Sequence, residues 1–180
     1  EDLLIKAWTQ ENVTHRGRYW NTKFPAIRPA TYSQPHPQLI RSAISDGSIS
    51  KLAGSCRPFL TAGGRPSEVV RKLSLYRDEA TKSGHQELEI ESAMHGIWFT
   101  ANVVVSDTFS DAKSIAEKYL PIEQKFFSDA RRELNSEEWV NSEEGKKFLA
   151  HDTLDDGFIY GSVDDVSDQI SEFRAAGAHN

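Results

Sequence analysis

Apolar positions in this chain recur in two rhythms, and the switches between them outline a succession of strands and helices. Leu3, Leu4, Ala7 and Trp8 share one side at helical spacing, as at the end of a helix. Asn12 to Pro29 scatters Val13, Gly17, Tyr19, Trp20, Phe24 and Ile27 among polar residues, the pattern of an irregular hairpin or surface loop. Four prolines between Pro25 and Pro37 predict an extended approach. Leu39 to Ile44 reads as a short strand, and Ser48 to Ala53 as a short helix stopped by Gly54 in a left-handed cap.

Pro58 to Thr61 predicts another strand. Pro66 stands where a first helical residue belongs, and Val69, Leu73, Tyr76 and Ala80 follow at helical spacing until Gly84. Ile97 to Val105, IWFTANVVV, is the strongest strand signal, nearly continuous in β-branched and aromatic residues, as expected of a parallel strand buried on both faces. Ala112, Ile115, Ala116, Tyr119 and Leu120 then form a helical stripe, which Pro121 interrupts before Ile122, Phe126, Ala130 and Leu134 resume it. Asn135 to His151 is charged and weakly periodic, which predicts a solvated insertion or mobile segment. Phe158 to Tyr160 is a short apolar run, and Ser162 caps a last helix with the stripe Val163, Val166, Ile170 and Phe173, ended by Gly177. Strands alternating with helices imply a parallel sheet with right-handed crossovers, in a (β/α) barrel or a doubly wound fold.

Composition narrows the function classes. The 180 residues suffice for one domain with a sizeable core, and 38% hydrophobic with 27% charged residues is ordinary for a globular protein. A formal charge of -6, with no dense Lys/Arg cluster, argues against nucleic acid as a partner. No apolar run approaches the roughly 18 residues of a membrane span, and no basic stretch with an apolar signal core opens the chain. The lone Cys56 excludes an intrachain disulfide, which fits a reducing compartment and makes the cytoplasm the expected location. The chain opens on Glu1 without an initiating Met, as a processed or truncated piece would.

Candidate chemistry concentrates in SQPHPQLIRSAISDGSISKLAGSCRP, Ser33 to Pro58. Ser45 and Ser48 flank Asp46 and Gly47 at the carboxyl end of a strand, where hydroxyls and free amides suit an anion such as a phosphate. Helix capping alone explains the same serines, and Asp46 opposes an anion unless its side chain turns away. His36, between two prolines, has no carboxylate or Ser placed for a relay, so packing or a backbone hydrogen bond is the plainer role. The other histidines lack metal-ligand spacing, so no metal site is expected. Cys56 reads as a small buried hydrophobe, Trp98 and Phe99 as core, and Gly63, Gly64, Gly161 and Ser162 as turn and cap residues.

Taken in order, several segments resemble the luciferase-like flavin-dependent monooxygenase family. Ile5 to Trp20, IKAWTQENVTHRGRYW, is similar to its helix end and following loop, with a glycine and an aromatic pair. Arg28 to Ser45, RPATYSQPHPQLIRSAIS, resembles the proline-rich, QxPHPP-like approach to the fifth strand, with Gln38 in place of the second paired proline. SDGSISKLAGSCRPFL resembles the Ser-containing turn, helix and glycine-leucine-proline-like lead-in to the next strand, from which Cys56 and Arg57 depart. WFTANVVVSDTFSDAKSIAEKYL is similar to the seventh strand and its helix, and FIYGSVDDVSDQISEFRAAGAHN to the Gly-Ser/Thr-Pro-x-x-Val segment before the eighth, with Val163 in place of proline.

The resemblance implies an α/β fold: a partial TIM-type (β/α)8 barrel, its C-terminal part with parallel strands 5 to 7 and their helices, spanning 1–180. It implies reduced FMN as cofactor, with the deazaflavin F420 as alternative, and the flavin phosphate bound by Ser45 and Ser48, Gly47 giving backbone room. The implied activity is insertion of one oxygen atom from O2 into a small organic substrate, in a cytoplasmic homodimer supplied by a flavin reductase. The family's catalytic groups sit largely in the half not carried by these residues, so the catalytic residues are unknown. The alternatives are an F420-dependent hydride-transfer relative, a non-catalytic flavin-binding or interaction fragment, or an unrelated α/β phosphate-binding enzyme.

Overall fold

The computed structural model describes residues 1–143, 145–146 and 153–180, and the chain divides into two compact units, 1–39 and 40–180. In the first unit, helix α1 (Asp2–Thr9) buries Ala7, and strands β1 (Asn12–Arg16) and β2 (Asn21–Pro25) form an antiparallel hairpin around a buried Val13. Gly17 N donates to Trp20 O at 2.9 Å and closes it. The approach that follows bends rather than running extended, with cis peptide bonds before Pro29 and Pro35.

The second unit alternates strand and helix. Its elements are β3 (Arg41–Ser42), α2 (Asp46–Ala53), β4 (Phe59–Ala62), α3 (Pro66–Lys82), α4 (Glu87–His95), β5 (Trp98–Thr100) and β6 (Asn102–Val105). They continue with α5 (Phe109–Leu134), α6 (Glu137–Asn141), α7 (Leu154–Gly157), β7 (Phe158–Gly161) and α8 (Val163–Ala175). Strands β3, β4 and β5 pair in parallel in that order, and β6 pairs in parallel with β7, Asn102 opposite Phe158. This is an α/β array of parallel strands that, among the described residues, does not close into a barrel.

Two cores hold it. Phe59 and Thr61 of β4 point toward helices, and Ile49, Leu52, Val69, Leu73, Tyr76, Ile90 and Ile97 bury around them, with the Phe59 and Tyr76 rings 5.8 Å apart. The predicted α3 stripe of Val69, Leu73, Tyr76 and Ala80 is buried throughout. Ala112 and Ala116 of α5 lie against Phe158 and Tyr160, with Val104, Leu120 and Leu154 at the margin. Small alanines bring the helix backbone close to the strand pair.

Several expectations change. The Leu39–Ile44 strand contracts to Arg41–Ser42, although Ala43 N still donates to Leu60 O at 2.9 Å. Gly54 is right-handed at φ -58°, and the left-handed position falls two residues later, on Cys56 at φ 48°. The run Phe158–Gly161 adds a further parallel strand beside the Ile97–Val105 segment. Helix α4 is additional too; its apolar residues make no clean stripe, and Glu89 accepting from Gln86 N at 3.0 Å secures its start. Helix α5 runs through Pro121 without stopping. Within Asn135–His151 the helix α6 forms, while residues 144 and 147–151 lie outside the described residues.

The strongest strand signal is not buried on both faces: Trp98 is 45%, Val103 52% and Val105 51% exposed. Helices cover one face of β5 and β6, so residues on the other face open outward, whereas all four residues of β7 are buried. Phe99 and Val104 both pack toward helices although an odd interval of five separates them. Strict alternation forbids that, and the break at Ala101 between β5 and β6 supplies the one-residue slip, as in a bulge.

Candidate active-site edge

Parallel strands send all their carboxyl ends to one edge, and four turns collect there: Ser45–Ser48 after β3, Gly63–Arg65 after β4, Ser106–Thr108 after β6 and Gly161–Ser162 after β7. In the first, Ser45 caps α2: its Oγ accepts from Ser48 N at 3.3 Å and lies 3.0 Å from Ser48 Oγ. The capping role of Ser45 is therefore real, and both hydroxyls are exposed on the rim. Asp46 does turn away. Its carboxylate takes both hydrogen bonds of Arg71 Nη1, at 3.0 and 3.1 Å, and Arg71 Nε also donates to Glu68 at 3.0 Å. A Cβ built on Gly47 would meet no atom within 4 Å, so the turn's outer face is open. The first-turn amides of a helix lack intrahelical acceptors, and here they face that opening with the positive end of the helix dipole.

The neighbouring turn adds cations. Gly64 takes φ +63°, and Arg65 Nε donates to Asp156 Oδ1 at 2.5 Å while its Nη2 donates to Thr153 Oγ1 at 3.3 Å. Hydrogen bonds from Thr153, with the Arg65 guanidinium beside it, hold the Asp156 carboxyl below the ordinary carboxylate range. Lys72 is buried beneath β4, its Nζ donating to Ala62 O at 2.7 Å and to Thr61 Oγ1 at 3.2 Å.

On the far side, Ser162 and Asp165 form a reciprocal cap: Ser162 N donates to Asp165 Oδ2 at 2.9 Å, and Asp165 N to Ser162 Oγ at 3.3 Å. Ser162 Oγ also donates to Asp165 Oδ2 at 2.7 Å, and this bond first, with the Ser162 amide second, depresses the Asp165 pKa. Gly161 has φ +150°, and a Cβ there would collide with the Asp165 side chain. Tyr160 O–H donates to Asp155 Oδ1 at 2.7 Å, and burial, with that carboxylate alongside, pushes its pKa up to about 12.

Ser45, Gly47 and Ser48 thus come together. His36 lies in the other unit, its Nδ1 2.8 Å from Pro37 O and its ring stacked 6.2 Å from Trp8, the backbone bond and packing expected of it. Arg71, Arg65 and Lys72 are additions to the sequence reading. Glu68 to Arg71 at i+3 was a visible pair, but the Arg71 reach to Asp46 depends on how α2 packs on α3.

The model of the luciferase-like monooxygenase family matches residues 2–180. The chain belongs to this family. No curated protein sequence matches it. Among solved structures, the monooxygenase RslO1 from Streptomyces bottropensis aligns with TM-score 0.58 at 18% identity, over 98% of this chain and 49% of its own. The oxygenating constituent of 3,6-diketocamphane monooxygenase from Pseudomonas putida, solved in complex with FMN, aligns with TM-score 0.58 at 18% identity, over 98% and 51%. The coenzyme F420-dependent tetrahydromethanopterin reductase from Methanopyrus kandleri reaches TM-score 0.62 at 13% identity, over 99% and 53%. At such identities the likeness speaks for the fold, and this family member spans about half the length of each of these structures. Among the described residues no helix is long and apolar enough to cross a membrane.

Proposed function

We propose that this chain forms the C-terminal, phosphate-binding part of a flavin-dependent monooxygenase that acts on a small organic substrate with O2. The observation that carries the reading is the Ser45–Ser48 turn. Two exposed hydroxyls lie 3.0 Å apart, that of Ser45 capping a helix, at the carboxyl edge of a parallel sheet, and the one acidic side chain in the turn is drawn off by Arg71. These residues fit a phosphate: Ser48 Oγ and the Asp46 and Gly47 amides donate, and the open space over Gly47 leaves the approach clear.

FMN is the cofactor of choice, with F420 second, since relatives of both kinds share the fold. When bound, reduced flavin supplies the electrons that activate O2. The chain's own residues anchor the phosphate, hold Asp46 aside and bind the Arg65 loop to Asp156, fixing the rim around the cofactor's phosphate end. A cytoplasmic homodimer fed by a flavin reductase completes the proposal, with the catalytic side chains outside these residues.

The test is flavin binding by the full-length protein. Ser45→Ala with Ser48→Ala is expected to weaken FMN affinity about tenfold or more while riboflavin, which lacks the phosphate, binds unchanged. Equal FMN affinity in the variant and the parent refutes the phosphate role. Tighter binding of reduced F420 than of FMN shifts the reading to hydride transfer.

A further inference from the structure

At the opposite edge of the sheet, the link between α2 and β4 holds the lone cysteine of this sequence in a left-handed backbone. Cys56 N donates to Ala53 O at 2.9 Å and Arg57 N to Leu52 O at 3.0 Å, a Schellman termination with Cys56 at the residue usually filled by glycine. Its half-buried side chain packs against the cluster that contains Tyr76. Tyr76 is wholly buried, and its hydroxyl makes no well-formed hydrogen bond among the described residues, its neighbour being the Cys56 thiol, a weak partner. A buried hydroxyl without an acceptor is costly, and native proteins rarely leave one without a reason. Burial first, and the neighbouring sulfur second, raise the Tyr76 pKa far above its ordinary value, so the phenol stays a donor.

We propose that Cys56 is a site of oxidation to sulfenic acid by hydroperoxides, with Tyr76 Oη–H donating to the oxygen that the sulfur acquires. The sulfur attacks one peroxide oxygen: an S–O bond forms as the O–O bond breaks. The thiol proton ends on the departing oxygen. One thiol and one hydroperoxide give one sulfenic acid and one water or alcohol, sulfur losing the two electrons the peroxide gains. The new oxygen is a far stronger acceptor than the thiol sulfur that Tyr76 faces in the reduced protein. Donation to a sulfenate is charge-assisted, and it withdraws electron density from the sulfur, which slows further oxidation to sulfinic acid. Half-burial admits a peroxide and hinders a bulky second thiol. The site is independent of the flavin reading.

The experiment treats purified full-length protein with hydrogen peroxide, traps sulfenic acid with dimedone at intervals, and maps adducts by peptide mass spectrometry. The expected result is an adduct on Cys56 in the folded protein and about tenfold faster conversion to sulfinic acid in Tyr76→Phe. Tyr76→Phe removes only the hydroxyl, and circular dichroism verifies its fold. No adduct on Cys56 in the folded protein overturns the proposal, as does an equal sulfenic lifetime in the two proteins.

Discussion

Arg71 holds Asp46 by a single terminal nitrogen, Nη1 donating to both carboxylate oxygens while Nε remains on Glu68. The pair joins the first turn of α2 to α3 and decides which way the only acid in the Ser45–Ser48 turn points. Arg71→Gln frees that charge, and at about 4 Å in water a unit charge acts with about 1 kcal/mol. FMN affinity is therefore expected to fall about fivefold, and Asp46→Asn in the same protein to restore it. Titration of FMN into the three proteins checks this; a loss that Asp46→Asn does not repair would show another role for Arg71.

Capping and ligand binding separate at Ser45 and Ser48. Only Ser45 Oγ accepts an amide of α2, so Ser45→Ala is expected to lower stability by about 1 kcal/mol, and Ser48→Ala by under about 0.5 kcal/mol. Both are expected to weaken FMN binding. Urea unfolding together with flavin titration measures the two effects independently.

Gly161 is required by geometry. At φ +150°, with the Asp165 side chain where a Cβ would go, Gly161→Ala forces both a strained backbone and a displaced cap, expected to cost roughly 2 kcal/mol or more. Gly47→Ala, in helical backbone with open space around it, is expected to be neutral or to raise stability by up to about 1 kcal/mol. Thermal midpoints of the two variants give the comparison.

Asp156 confers acid sensitivity. Its folded pKa is depressed by Thr153 and then Arg65, so its stabilisation is fully present above the unfolded value of about 3.9 and is lost as pH falls through the lower folded value. Solvent exposure of the pair limits the contribution to about 0.5 kcal/mol. Arg65→Gln is expected to flatten the fall in stability below pH 4 without altering stability slopes near neutrality, as chemical unfolding at stepped pH will show.

Local signals carried most of the architecture. Pro66 and the Val69–Ala80 stripe gave α3, and Ser162 gave the start of α8, because both depend on neighbours within a turn or two. What escaped depends on packing. The exposure of Trp98, Val103 and Val105 follows from which face the helices cover, and apolar composition alone carries no such information. The left-handed cap fell on Cys56 rather than Gly54 because α2 extends its turns two residues further, against the residue preference of that conformation. At the rim, Ser45, Gly47 and Ser48 were visible as turn chemistry, while Arg71 reaches Asp46 and Arg65 reaches Asp156 from distant sequence.

The slip at Ala101 has a mechanical meaning. Residues before it lock into the cluster of α2, α3 and α4; residues after it lock into the cluster under α5; and one uninterrupted stretch of backbone carries both. Melting either cluster strips one end of a strand that the other needs, so a substitution that loosens one core is expected to destabilise the other as well.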